Sequence, residues 1–225
     1  MVSRSLLAVW AVIDFLLLAA GAISVALSII WRNPDEMLSL IFTPNDLTAG
    51  LVVGILLLAT FILSLGAIVQ RSHVTIGLII LNWMLIIDSI VLLAVASTFW
   101  YFSLHERENF FKRYSAISDD ARVVLQDKLQ CCGYFNATDA VTIRAGTFCA
   151  SEEFVTVTNN ATGAFCVGPI TDGADVILNN TFTTIYGFMA ITVCLMLASV
   201  CVINKRKEDE RFRKIDAKRG GKGFV

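Results

Sequence analysis

Charged side chains and histidines are scarce in this sequence. Of its 225 residues, 16% are charged, 56% are hydrophobic, and the histidines are His73 and His105 alone. The chain has no Cys-x-x-Cys pair, no glycine-rich phosphate loop and no serine or cysteine with an evident histidine base. These absences argue against redox, nucleotide-binding and hydrolytic sites. We therefore expect a protein that is not an enzyme and that needs no cofactor, metal or nucleic acid.

Long apolar runs are what the sequence has in abundance. Four of them reach the roughly 20 residues that a helix needs to cross a bilayer, and they are Leu6–Trp31, Leu51–Val69, Val74–Phe99 and Thr183–Ile203. Arg4 and the Ala20-Gly21-Ala22 triplet would also suit a secretory signal, but the first run is longer than the apolar core of a signal peptide. The pattern predicts an all-α membrane protein, a bundle of four transmembrane helices.

Basic residues predict how these spans are oriented. The short segment 70–73 carries Arg71, and the segment 204–225 carries nine basic and four acidic residues. Cytosolic segments are enriched in lysine and arginine, so both segments, together with residues 1–5, are predicted to be cytosolic. Residues 32–50 and 100–182 then form a small and a large extracellular loop. The chain is expected in the plasma membrane or in secretory or endosomal membranes.

The large predicted loop has the features of an oxidising compartment. It contains an even number of cysteines, as in a disulfide framework: Cys131, Cys132, Cys149 and Cys166. It also contains every glycosylation sequon of the chain, at Asn136, Asn160 and Asn179. Asn179 lies close to the fourth span and ranks below the other two. We predict a small disulfide-stapled extracellular domain between the third and fourth transmembrane helices.

Local patterns inside this loop predict two helices and one irregular region. Residues 106–114 form the first, and Phe110 and Phe111 are expected to seat it on its neighbours. The second begins after an N-cap at Ser118, has apolar residues at helical spacing, and ends at Gly133; those residues are Ala121, Val124, Leu125 and Leu129. Residues 138–173 show no sustained period, which is typical of a disulfide-held variable region.

The adjacent cysteines limit the possible disulfides. Neighbouring α carbons lie about 3.8 Å apart, less than the roughly 4.4 Å at which ordinary disulfides begin. Cys131 and Cys132 are therefore expected to bond different partners, Cys149 and Cys166, in either the nested or the crossed arrangement. Zinc is the competing use for four cysteines, but the paired ligand spacing of zinc sites is missing.

At this point the chain resembles a known family. Four spans, a short first loop, a four-residue inner turn and a large second loop that carries Cys131-Cys132-Gly133 about one helix after the third span resemble the tetraspanins. The string Cys-Cys-Gly-Tyr-Phe-Asn at 131–136 is most similar to fungal tetraspanins that are required for host penetration from appressoria. Claudins and connexins place their loop cysteines differently.

The resemblance implies both a disulfide pairing and a function. The family pattern chooses the nested bonds, Cys131 to Cys166 and Cys132 to Cys149, although Cys149 lies in a Thr-Phe-Cys-Ala-Ser context and not after proline and serine. Tetraspanins are organisers that bind other membrane proteins laterally, through the large loop and the spans. The expected partners are therefore membrane proteins, with a homo-oligomer as a further possibility.

Three polar residues lie inside the predicted spans, where a carboxylate is expensive. They are Asp14, Asn82 and Asp88. Hydrogen bonding between helices is the favoured interpretation, and a transporter or channel subunit that uses Asp14 and Asp88 is the alternative. Equal distances from the cytosolic ends of their spans predict that Asp14 meets Asn82, and Asp88 needs another neighbour, with Thr192 as a candidate.

Three further features remain at the predicted cytosolic side and in the spans. Cys201 is a palmitoylation candidate near the inner end of the fourth span, with a buried thiol as the alternative. The basic tail is expected to attract anionic lipids of the inner leaflet, or simply to keep the tail inside. Gly50 and Gly54 open the second span with the spacing of close helix packing. Small residues also recur along the first span, at Ala8, Ala11, Ala19, Ala22 and Ala26.

Overall fold

The computed structural model describes residues 4–33, 36–69 and 76–218, leaving out the side chains of 4, 5 and 158–162. These residues form eight helices and no strand. In chain order the helices are α1 (Arg4–Ile30), α2 (Glu36–Ile41), α3 (Pro44–Val69), α4 (Ile76–Leu104), α5 (Glu106–Ala116), α6 (Asp119–Leu129), α7 (Glu152–Thr162) and α8 (Val167–Lys218). The predicted inner turn, 70–73, lies outside the described residues.

Four of the helices are long and apolar enough to cross a membrane. They are α1, α3, α4 and α8, and their number and order agree with the four predicted spans. The chain therefore fits a multi-pass integral membrane protein. At about 1.5 Å per residue, the 52 residues of α8 extend far beyond a hydrocarbon core of about 30 Å, so only part of this helix is needed to span it.

Helix α3 begins at Pro44, before the apolar run that starts at Leu51. A reciprocal cap explains this early start. The Thr43 side chain accepts from the Asp46 amide at 3.3 Å, and Asp46 Oδ2 accepts from the Thr43 amide at 2.9 Å and from its hydroxyl at 2.7 Å. Proline at the first helical position suits the same cap.

One compact unit, here called the bundle unit, contains the described parts of 1–28, 49–95 and 185–225. Its core is aliphatic apart from one tryptophan, and its members include Trp10, Leu17, Leu57, Leu81, Leu85 and Leu195. Helices α1 and α3 approach closely at Gly54, where a β-carbon would lie 2.7 Å from Val25 Cγ2 and 2.9 Å from the Val25 amide nitrogen. The predicted packing role of Gly54 is thus confirmed.

A second compact unit, here called the loop unit, contains the described parts of 29–48 and 96–184. Its core combines aromatic side chains with one disulfide, and its members include Phe42, Phe110, Tyr114, Leu125, Cys131, Tyr134, Cys166 and Ile170. The short helix α2 contacts both α5 and α6. Phe110 is buried, and its ring meets Phe102 edge-on at 5.3 Å, as expected of a residue that seats α5.

Several local predictions in the loop unit are wrong. Helix α6 ends at Leu129 with Gln130 in the left-handed conformation (φ 52°), so Gln130 and not Gly133 ends it. Val124 is exposed, while Val123 and Leu125 face the core. The region 138–173 is not wholly irregular, because it contains α7 and the first turns of α8.

A local signal for α7 was present in the sequence. The Ser151 hydroxyl accepts from the Phe154 amide at 3.2 Å, and two glutamates occupy the first turn. The N-cap of α6, in contrast, is where the sequence predicts it: the Ser118 hydroxyl accepts from the Ala121 amide at 3.3 Å.

Candidate functional site

The two adjacent cysteines form disulfides with different partners. Cys131 bonds Cys166 and Cys132 bonds Cys149, with Cα–Cα distances of 5.0 and 5.9 Å. This nested arrangement is the one that the family resemblance implies. The first bond lies in the aromatic core of the loop unit, and the second lies in a separate small cluster with Val155 of α7. The adjacent cysteines therefore attach the segments that precede α7 and α8 to the same point of the chain.

Gly133 forms the turn that follows the cysteine pair. It has φ +71°, and a β-carbon there would lie 2.1 Å from the carbonyl oxygen of Asn136. Its own carbonyl accepts from the Cys166 amide at 2.9 Å, while the Cys132 amide donates to the carbonyl of Ala164 at 3.2 Å. Backbone hydrogen bonds therefore reinforce the Cys131–Cys166 disulfide, and the motif is a rigid joint.

Tyr134, the residue after this glycine, is fully buried, although the sequence patterns did not single it out. Its hydroxyl donates to the carbonyl of Arg107 in α5 at 2.9 Å, and its ring lies 5.4 Å from that of Tyr114. Burial, together with the negative charge of Glu106, raises the pKa of Tyr134 well above its usual value. Burial also raises the pKa of Tyr114 to about 12. Both phenols stay neutral at physiological pH and act as packing groups.

Arg122 of α6 organises the turn between α5 and α6. Its guanidinium is nearly buried and donates to the carbonyls of Tyr114, Ser115 and Ile117 at 3.4, 3.1 and 3.1 Å. It also bonds Asp119 at 3.0 Å and the Thr142 hydroxyl at 3.1 Å. Because these partners include the last carbonyls of α5, Arg122 fixes the angle at which α6 leaves α5.

Exposed apolar side chains occur in the segment that the two disulfides hold. Ile143, Phe154 and Val157 are 38%, 41% and 62% exposed. Val155, between the last two, is buried beside the Cys132–Cys149 bond. Helix α7 thus turns one side chain inward and presents its neighbours outward, which is a surface that a partner could cover.

Two of the three sequons have side chains that the structure describes. Asn136 is exposed, and its Oδ1 accepts from the amide and hydroxyl of Thr138 at 3.0 and 2.8 Å and from the Asp139 amide at 3.1 Å. Asn179 is also exposed, within α8. The side chain of Asn160, in α7, is outside the described set.

Arg113 of α5 joins the first loop to the large loop inside the loop unit. Its Nη1 donates to the carbonyls of Leu40 and Ile41 at 3.0 and 2.5 Å, at the end of α2. Its guanidinium lies 4.3 Å from the Phe102 ring centroid, and its Nη2 lies 4.0 Å from Asp46 Oδ2. Burial lowers the pKa of Arg113, and the Asp46 charge partly offsets this.

The polar residues of the spans find partners different from those predicted. The Asn82 Oδ1 accepts from the Ser199 hydroxyl, and Asp88 Oδ2 accepts from the Thr60 hydroxyl at 2.6 Å. The Ser64 hydroxyl of α3 lies near Asp14, although Asp14 Oδ1 and Ser64 Oγ form no hydrogen bond within the described residues. The predicted Asp14–Asn82 contact is therefore wrong, because α3 supplies the neighbour of Asp14 and α8 that of Asn82.

Thr192 is likewise not the partner of Asp88, since its hydroxyl meets that of Ser89 at 2.9 Å. The hydrogen-bonded pairs join α3 to α4 and α4 to α8. Asp14 Oδ1, Ser64 Oγ and Asp88 Oδ1 are buried, and none of them has a hydrogen-bond partner in the part of the chain that the structure describes. Two carboxyl groups of the bundle therefore retain unused hydrogen-bonding capacity.

Cys201 and the basic tail lie on the part of α8 that belongs to the bundle unit. Cys194 and Cys201 are both free and exposed, so the alternative of a buried Cys201 thiol is wrong. The helix continues to Lys218, and two of its lysines are paired with acids, Lys205 with Glu208 and Lys214 with Glu210, each at 2.8 Å. Arg219 and Lys222 lie outside the described residues.

Comparisons with protein-family models, with curated proteins and with solved structures found no match for this chain. Within the described residues, no group of three or more histidine, cysteine, aspartate or glutamate side chains is placed to hold a metal ion.

Proposed function

We propose that this chain is a tetraspanin-like membrane organiser. In this proposal the large loop is extracellular, the tail is cytosolic, and the protein binds partner membrane proteins laterally through residues 138–173 and its spans. A role in fungal host penetration, which the string at 131–136 suggests, belongs to the same proposal.

The observation that best supports the proposal is the pair of disulfides formed by the adjacent Cys131 and Cys132. Two disulfides hold the chain on both sides of α7, and they leave Phe154 and Val157 exposed. A preformed apolar surface loses little conformational freedom when a partner covers it, which favours binding. Nothing in this arrangement needs a redox change of the cysteines, so we expect both bonds to persist in the mature protein.

Purification in a mild detergent from the native membrane, followed by quantitative mass spectrometry, tests this function. We expect a defined set of membrane proteins to co-purify, and Val157→Arg to remove members of that set. Val157 is 62% exposed, so this change leaves the core intact.

Val124→Arg is the matched control. Val124 is 49% exposed but lies on α6, outside residues 138–173. If both variants lose the same proteins, or neither loses any, the proposed surface on α7 is wrong. Labelling of intact cells at a cysteine introduced at exposed Ala150 tests the topology separately, because only an extracellular loop reacts with an impermeant reagent.

The unused carboxyl oxygens favour a second candidate function, a small transporter or channel subunit. Asp14 and Asp88 are 3% and 1% exposed, and one oxygen of each has no hydrogen-bond partner among the described residues. Intramembrane acids commonly mark proton or ion pathways. Proton or sodium flux into vesicles that contain the purified chain, abolished by Asp14→Asn and Asp88→Asn, would support this function. An absence of flux would contradict it and favour the organiser function.

A further inference from the structure

The loop unit contains a cavity of about 120 Å³ that the proposed function does not use. Two charged residues and a few mostly apolar ones line it, namely Ile41, Asp46, Thr98, Phe99, Phe102 and Arg113. Because one water takes up about 30 Å³ in the liquid, the cavity can hold about four waters or one small polar group.

The depth of this cavity in a membrane follows from the helices that line it. Asp46 lies five residues before Leu51, where the apolar run of α3 begins. At about 1.5 Å per residue this places Asp46 roughly 7 Å beyond the hydrocarbon edge, within the head-group layer. Phe99 and Phe102 lie at the corresponding end of α4, next to Trp100 and Tyr101, which are 48% and 62% exposed. Such aromatic residues are typical of the membrane interface.

The two charged residues form a loose ion pair, with Arg113 Nη2 4.0 Å from Asp46 Oδ2, and their side chains are 26% and 33% exposed, so polar atoms of both stay accessible to a ligand. Arg113 Nη1 is bonded to two carbonyls. Asp46 uses Oδ2 for the cap of α3. A cation and an anion thus face the same small space.

We propose that this cavity binds the head group of a zwitterionic phospholipid. The phosphate would accept from Nη2 and Nε of Arg113, and the ammonium group would lie between Asp46 and the ring of Phe99. An anionic lipid would satisfy Arg113 alone and be repelled by Asp46, whereas a zwitterion matches both charges. The site requires only that α3 begins and α4 ends at one membrane surface, so it is independent of the proposed organiser function.

Native mass spectrometry of the full chain in a neutral detergent tests the site. The probes are phosphatidylcholine and phosphatidylglycerol with identical acyl chains, and soluble phosphocholine. We expect the wild-type chain to retain phosphatidylcholine in preference to phosphatidylglycerol. Arg113→Gln should weaken phosphatidylcholine retention roughly tenfold, the effect of losing one charge-assisted hydrogen-bond pair.

Asp46→Asn is the sharper variant, because asparagine keeps an acceptor for the α3 cap while it removes the charge. We expect it to retain phosphatidylglycerol at least as well as phosphatidylcholine, a change of preference that a purely structural role would not produce. Lys112→Gln is the matched control, since Lys112 is a neighbouring cation on α5 whose side chain is 68% exposed. Formation of both disulfides verifies that each variant is folded.

Three results would overturn the proposal. They are equal retention of the two lipids by the wild-type chain, an Asp46→Asn variant with the lipid preference of Lys112→Gln, and binding of soluble phosphocholine without retention of any lipid.

Discussion

A β-carbon at Gly133 would lie 2.1 Å from the carbonyl oxygen of Asn136. The contact is with backbone, so no side-chain rotation can relieve it, and the φ of +71° adds a further cost for any other residue. We expect Gly133→Ala to reduce the yield of chains with both disulfides and to lower the unfolding temperature. Non-reducing peptide mapping and thermal unfolding measure the two effects.

Gly146→Ala separates the two causes of this loss. Gly146 also has a positive φ, +89°, but a β-carbon there would meet nothing within 4 Å. Gly146→Ala should lower the free energy of unfolding only by the cost of the backbone strain, about 1–2 kcal/mol. Equal losses in the two variants would show that the approach to Asn136 does not matter.

Arg122→Lys should destabilise the loop unit by about 2–4 kcal/mol, because one ammonium group cannot replace a guanidinium that serves several carbonyls at once. Arg144→Lys is the control. Arg144 is 51% exposed and makes an ion pair with Asp120 at 2.7 Å, a surface contact worth about 1 kcal/mol or less. Chemical denaturation followed by tyrosine fluorescence compares them, and similar losses would contradict the organising role of Arg122.

The Thr60–Asp88 hydrogen bond predicts coupling between α3 and α4. Thr60→Val and Asp88→Asn should each lower the free energy of unfolding of the bundle unit. The loss in the double variant should be smaller than the sum of the two single losses by about 0.6–2 kcal/mol. Steric trapping of unfolding in bicelles measures these free energies. Asp14→Asn combined with Asn82→Ala is the control pair, expected to be additive since these residues have different partners.

The Glu106 carboxyl group is expected to make the free energy of unfolding depend on pH. Burial, followed by the charge of Asp175, raises its pKa above the ordinary value of 4.5. The folded state therefore binds the proton more tightly than the unfolded state does. This contribution to stability is complete below pH 4.5 and is lost as the pH rises through the raised pKa.

Replacing Glu106 by glutamine removes this titration. Glu106→Gln should unfold at a higher temperature than the wild-type chain near neutral pH, and the difference should shrink below pH 4.5. Glu108→Gln, on the same helix and 71% exposed, should show no such pH-dependent gain. A gain for Glu106→Gln that is constant across pH would contradict an electrostatic cause.

The partners of the polar residues in the spans illustrate what sequence patterns cannot predict. Equal depth suggested that Asp14 meets Asn82, but depth leaves the rotation of each helix undetermined. In the bundle unit, Asn82 faces Ser199, which is 117 residues away in the chain. The rotation of α4 depends on the packing of Leu78, Leu81 and Leu85, and this packing involves three other helices.

Local capping signals in the sequence agree with the starts of three helices. Ser118 caps α6 as its sequence context indicates, and the same chemistry at Thr43 and at Ser151 would have predicted the starts of α3 and α7. Glycine commonly ends helices, so the sequence predicts that α6 ends at Gly133. Gln130 takes that position, and Gly133 instead forms the turn that closely approaches Asn136.

Length, composition and short-range spacing suffice to identify four candidate membrane-spanning helices and the grouping of cysteines and sequons in one segment. Which hydroxyl lies near each buried acid, the cavity that Arg113 and Asp46 share, and the residues of α7 that stay exposed depend on the folded structure. These relationships join residues far apart in the chain, such as Arg113 and Ile41 at a separation of 72. They depend on how the helices pack, which no short stretch of sequence encodes.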